Sequence, residues 1–93
     1  MKYTVYHAKE PTFGFGADVE FNDANFVKVA EVESPTLAQV FRITNHIHDD
    51  WQKNPEVVWF KDWQVRSTSV GDVVTDADGK KFRCEMVGWK ELI

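Results

Sequence analysis

One stretch of helical periodicity lies between strand-like segments, and this order constrains the fold more than any other feature. Ser34-Pro35 offers a helix N-cap followed by proline at the first helical position, where its missing N–H breaks no helical bond. The residues that follow recur at helical spacing and define one buried stripe: Leu37, Val40, Phe41, Thr44, Ile47 and Trp51. The sequence therefore predicts one helix over residues 35–48.

Strand-like segments flank this helix on both sides. Residues 2–7 and Phe26 to Glu33 are rich in β-branched and aromatic side chains. Further along, Asp76-Ala77-Asp78-Gly79 predicts a hairpin turn between residues 73–75 and 80–86. We expect a single α+β domain over residues 1–93, with a small, mostly antiparallel sheet of about four strands packed against the helix.

Two segments allow more than one structure. Val57 to Phe60 favours a short strand or an extended loop, although Asn54-Pro55-Glu56 could instead cap a short helix. Gly88 to Ile93 predicts either a last strand or a docked tail.

Charge and cysteine content exclude several classes of protein. The net charge is −4, with the acidic excess in residues 1–50. The sequence contains no cluster of basic residues of the kind that binds nucleic-acid phosphates directly. The single cysteine, Cys84, predicts a reducing, cytoplasmic setting. No apolar run approaches the roughly 20 residues that span a bilayer, and the start resembles a strand rather than a signal peptide. We therefore expect no membrane association.

The densest polar cluster is Arg66, Ser67, Ser69 and Asp72. An arginine beside two hydroxyls and an acid could hold a carboxylate or a phosphate. The competing interpretation is structural: Ser69 and Asp72 have capping-box spacing, and Arg66 can satisfy nearby carbonyls. We favour the structural interpretation, because such side chains commonly serve backbone groups.

Other candidate chemistry is weaker. His46 and Asp50 are four residues apart and could share a metal, but zinc needs further ligands at suitable spacing. Cys84 alternates with Phe82 and Met86 on an apolar face, where a thiol is inert. The sequence contains neither a recognisable nucleophile–base pair nor an acid–base pair. We therefore expect no catalytic residue, no metal and no cofactor.

Aromatic residues are the candidates for contact with a partner. Phe13 and Phe15 are flanked by glycines in the long connection of residues 8–25, and Trp59 and Trp63 form a second group. Exposed aromatic side chains often supply much of the energy of an interface. The alternative is that these side chains fold back onto the core.

A longer pattern covers residues 66–89. The string RSTSVGDVV at residues 66–74 is followed by Asp78-Gly79, by F-x-C at residues 82–84 and by Gly88-Trp89. This pattern resembles the YodL-like module found in proteins of phages, plasmids and conjugative elements, with Trp89 where phenylalanine is more usual. Thr44-Asn45, Trp51 and Asn54-Pro55 also resemble phage-encoded relatives. The resemblance implies a mobile-element origin and a small α+β fold, and it supplies no catalytic residues.

Three functions follow as hypotheses. The first is a phage or mobile-element accessory protein that binds a protein partner, such as a host factor or a defence component. The second is an acidic DNA mimic or a nucleic-acid-associated module. The third is a small ligand-binding protein or hydrolase that uses the cluster from Arg66 to Asp72. A homodimer through an exposed strand edge is compatible with any of them.

Overall fold

The computed structural model describes residues 1–10, 20–45, 50–62, 65–85 and 88–92. These residues form one six-stranded antiparallel sheet, one α-helix and a short 3-10 helix, which confirms the α+β class. The helix α1 is Leu37–Thr44, and the 3-10 helix is Trp51–Lys53. The strands are β1 (Lys2–Ala8), β2 (Phe26–Glu33), β3 (Val57–Phe60), β4 (Val73–Thr75), β5 (Lys81–Cys84) and β6 (Trp89–Leu92).

The sheet is larger than the four strands that the sequence predicts. Its order is β3-β2-β1-β4-β5-β6, so the two ambiguous segments form its edges. Each edge strand has four residues, which is too few for alternation to distinguish a strand from a loop. Their pairing with β2 and β5 decides their structure, and the local sequence does not encode that pairing.

Strand β1 lies inside the sheet and pairs with both β2 and β4. Successive side chains of a strand point to opposite faces, so Tyr3, Val5 and His7 lie on one face and Lys2, Thr4 and Tyr6 on the other. The first three are buried. A register shift between Val5 and Tyr6 marks a bulge in the pairing with β2. It lies just before His7 and Ala8, which belong to the candidate site.

The helix begins later and ends earlier than its predicted range of residues 35–48. Ser34 is not the N-cap, because its N–H donates to the carbonyl of Met1 and its hydroxyl bonds to Thr36. Thr36 is the N-cap, and its side chain accepts from the N–H of Gln39. The helix ends at Thr44 because segments outside it satisfy the last carbonyls: Asn54 donates to Ile43 and Thr68 donates to Thr44.

The stripe that the helical spacing predicts is present in part. Val40 and Thr44 are fully buried, Leu37 packs against the core, and Phe41 makes an edge contact with Trp89. Trp51 is buried in the 3-10 helix, whereas Ile47 lies outside the described residues. With eight residues in α1, the described ranges contain no helix long and apolar enough to cross a bilayer.

Two apolar clusters occupy opposite faces of the sheet. The larger lies on the face that the helix covers, and its buried residues are Tyr3, Val5, Val29, Ala30, Val32, Val40, Trp51 and Val74. The smaller joins Ala8, Phe26 and Val73, with Tyr6, Phe21 and Leu92 packed against it. Side chains around Phe21 therefore cover part of the face opposite the helix.

The predicted hairpin turn joins β4 to β5. Asp76 Oδ1 accepts from the backbone N–H groups of Asp78 and Lys80, at 2.9 Å each. Gly79 has a backbone φ of 85°, a conformation that residues with a Cβ rarely adopt. This turn is encoded locally, which is why the sequence is sufficient to place it.

Candidate functional site

A buried carboxylate lies at the centre of the polar cluster. Asp72 directly precedes β4 and is 1% exposed. Its Oδ1 accepts from the backbone N–H of Ala8 at 2.9 Å, and its Oδ2 accepts from the N–H of Ser69 at 2.8 Å. The Arg66 guanidinium donates to both oxygens, at 2.6 and 2.7 Å. The carboxylate thus has four N–H donors, which compensate for its removal from water.

Arg66 also binds backbone oxygens. Its guanidinium donates to the carbonyls of Ala8, at 3.2 Å, and Ser67, at 3.0 Å. It donates further to the hydroxyl of Ser69 at 3.3 Å. The side chain is 37% exposed, so one part of the guanidinium reaches solvent while the rest connects the end of β1 to residues 67–72.

A histidine that the sequence pattern does not single out completes this cluster. His7 is 2% exposed, and its Nε2 lies 3.0 Å from the Thr68 hydroxyl and 3.8 Å from Asp72 Oδ2. Burial lowers the pKa of His7 to about 4, although the Asp72 carboxylate opposes this effect; Arg66 contributes in the same direction as burial. The imidazole is therefore neutral at pH 7. The only signal in the sequence is its alternation with Tyr3 and Val5.

Residues 65–68 connect this cluster to the helix. The N–H of Thr68 donates to the carbonyl of Thr44 at 2.9 Å, and its own carbonyl accepts from the Asn45 amide at 2.6 Å. The Trp51 indole donates to the carbonyls of Val65 and Arg66, at 3.0 and 3.1 Å. The same short segment therefore holds the end of α1, the buried tryptophan and the end of β1.

The arrangement favours a structural role for Arg66, Ser69 and Asp72. General base catalysis needs a group with hydrogen-bonding capacity left for a substrate, whereas the Asp72 oxygens already have four donors. The carbonyl of Ser67 accepts from Arg66. The structure thus brings together the four predicted residues, and the hydrogen bonds described above for Arg66, Ser69 and Asp72 are to one another or to the backbone.

The predicted aromatic group is only partly described. Trp59 lies on edge strand β3 and is 40% exposed, next to Val58, which is 56% exposed. The Lys28 ammonium lies 4.8 Å from the centre of the Trp59 ring. Phe13, Phe15 and Trp63 lie outside the described residues, as does His46.

The thiol of Cys84 has the character of a buried apolar group. Burial, together with the nearby Asp72 and Glu85 carboxylates, raises the pKa of Cys84 to about 11. A thiol in this state is a poor nucleophile at neutral pH. Within the described ranges, no three His, Cys, Asp or Glu side chains are grouped to hold a metal ion.

No family model, curated protein or solved structure matches this chain. The resemblance to YodL-like modules therefore stays a prediction from the pattern at residues 66–89.

Removal of the Asp72 charge tests the importance of the ion pair. We expect Asp72→Asn to lower the free energy of unfolding by about 3 kcal/mol, because the variant leaves the guanidinium without its charged partner. Asp50→Asn is the matched control, since its ion pair with Lys53 is exposed and is worth at most about 1 kcal/mol. Urea unfolding of both variants measures the difference. Equal losses in the two variants would contradict the structural role.

The low pKa of His7 predicts a stability that depends on pH. The folded pKa of about 4 lies below the ordinary value of 6.5, so between these values the unfolded chain binds more protons. The contribution of neutral His7 to the free energy of unfolding is therefore fully present above pH 6.5, and it is lost as the pH falls through 4. We expect wild type to lose about 3 kcal/mol more than His7→Gln between pH 7 and pH 4. Parallel pH profiles of the two proteins in urea unfolding would show that His7 does not titrate this way.

Proposed function

We propose that this chain is an accessory protein of a phage or another mobile element, and that it binds a protein partner through strand β3. One observation carries the proposal: Val58 and Trp59 are adjacent on a sheet edge and are 56% and 40% exposed. Apart from Met1, they are the large apolar side chains that are exposed among the described residues.

The surroundings of Trp59 support a role in binding. Trp59 is paired with Glu31 across the sheet, and the carboxylate of Glu31 forms ion pairs with Lys2 and Lys28. An aromatic side chain with a charged rim is a common composition for a protein interface. The indole is large and rigid, so its burial by a partner costs little conformational entropy.

The edge itself favours contact through side chains over addition of a strand. Strand β3 has four residues, its pairing with β2 is irregular between Glu31 and Val32, and Pro55 and Lys61 lie near its two ends. Short length, irregular pairing, proline and lysine are devices that protect sheet edges from pairing with another chain. We therefore expect the Val58 and Trp59 side chains to supply the binding energy.

The genetic origin and the cellular location that we propose are inferred from the sequence. The mobile-element origin follows from the resemblance of residues 66–89 to YodL-like modules. The single cysteine, buried and unpaired, suits the reducing cytoplasm of a host cell. A host factor or a defence component is the kind of partner that this setting supports.

Site-specific photo-crosslinking in host cells tests this proposal. A photoreactive phenylalanine at position 59 should crosslink one host protein, whereas the same residue at position 90 should not. Position 90 is the matched control because Lys90 is exposed on the other edge strand, β6. The captured protein is then purified, and its affinity is measured for wild type, Val58→Thr/Trp59→Thr and Lys90→Thr/Glu91→Thr.

We expect the β3 variant to bind at least roughly 30-fold more weakly, the change that corresponds to the loss of a binding hot spot. The β6 variant should bind as wild type does. Equal affinity of the two variants, or equal crosslinking from positions 59 and 90, would overturn the proposal.

A further inference from the structure

The geometry points to a second site: a pocket beside His7 that binds a small organic anion, with a carboxylate or phosphate on an apolar body. The pocket has a volume of about 310 Å³ and lies on the helix side of the sheet. Its apolar lining includes Val27, Val29 and Val65, and its basic residues are Lys9, Lys61 and Arg66. This combination of an apolar wall with a few polar groups is typical of small-molecule sites.

Two lysines supply free positive charge. Lys9 and Lys61 are exposed, and neither ammonium has an ion-pair partner in the described ranges. Their backbones are fixed, since the N–H of Lys9 donates to Asn25 and that of Lys61 donates to Val29. Among the described residues of the lining, Asp62 is the single acidic one, and Asp72 already balances Arg66. The described part of the lining therefore has an excess of positive charge, which favours an anion.

His7 belongs to the wall of the pocket. Its Nδ1 is buried and has no hydrogen-bond partner in the part of the chain that the structure describes. Because water does not reach this atom, a molecule that fills the pocket would not reach it either. The lysines and the apolar lining are therefore the groups that a ligand would contact.

The volume limits the ligand. Pockets for small molecules span about 300 to 1,000 Å³, so this one lies at the lower end. A small metabolite with one anionic group fits better than a dinucleotide does. The anionic group would lie near the lysines, and the apolar part would lie against the valines.

The pocket and the proposed partner surface lie on different faces. His7, Val27 and Val29 are on the helix side, whereas Trp59 pairs with Glu31 on the opposite side of the sheet. The two proposals can therefore fail separately.

An NMR titration with phenyl phosphate as the probe tests this site. We expect saturable shifts of the backbone amides of Ala8, Val29 and Val65. Lys9→Gln/Lys61→Gln should weaken binding at least roughly tenfold through loss of both charges. The control, Lys80→Gln/Lys90→Gln, removes two exposed lysines elsewhere and changes the net charge equally. It should bind within about twofold of wild type.

A parallel titration with benzoate distinguishes a carboxylate from a phosphate as the anionic group. The site is supported if benzoate or phenyl phosphate binds and if Lys9→Gln/Lys61→Gln weakens that binding. The compound with the higher affinity identifies the preferred anionic group. Equal binding by the two double-lysine variants, or shifts that map away from the pocket, would overturn the inference.

Discussion

The carboxylate of Asp72 is the interaction on which the rest of the structure depends. It is buried, and four N–H donors reach it from Ala8, Ser69 and Arg66. Removing a charge from water is costly unless such donors compensate for it, so each donor must be held in place. The carboxylate therefore fixes the end of β1 relative to residues 66–72. Through Thr68 and Trp51, the same residues also hold the end of α1.

This arrangement separates the groups that maintain the fold from the groups available for recognition. The carboxylate of Asp72 and the guanidinium of Arg66 are bonded to each other and to backbone groups, so we assign them no catalytic step. We propose that recognition uses two other surfaces of different chemistry. Val58 and Trp59 present apolar area on edge strand β3, and Lys9 and Lys61 present positive charge beside the pocket. An aromatic patch suits a protein surface, whereas a small basic pocket suits a single anionic molecule.

Local features were predictable from the sequence, and long-range pairings were not. Alternation placed β1 and β2, and Asp76 with Gly79 placed the hairpin turn. Ser34 has a side chain suited to an N-cap, but its N–H donates to the carbonyl of Met1 just beyond the end of β2, and Thr36 takes the N-cap role. The spacing of Ser69 and Asp72 indicated a local bond, whereas the donor at Ala8 is 64 residues from Asp72 along the chain. Lys9, Lys61 and His7 meet only in the folded chain, so no motif could reveal the pocket.

Amide hydrogen exchange at Ala8 tests the central claim most directly. Its N–H donates to the Asp72 carboxylate rather than to a neighbouring strand, so its protection reports that bond. We predict that the Ala8 amide exchanges only through global unfolding, with an opening free energy close to that of Val5 within β1. Exchange of Ala8 through local opening, while Val5 stays protected, would contradict the claim that this carboxylate holds the structure together.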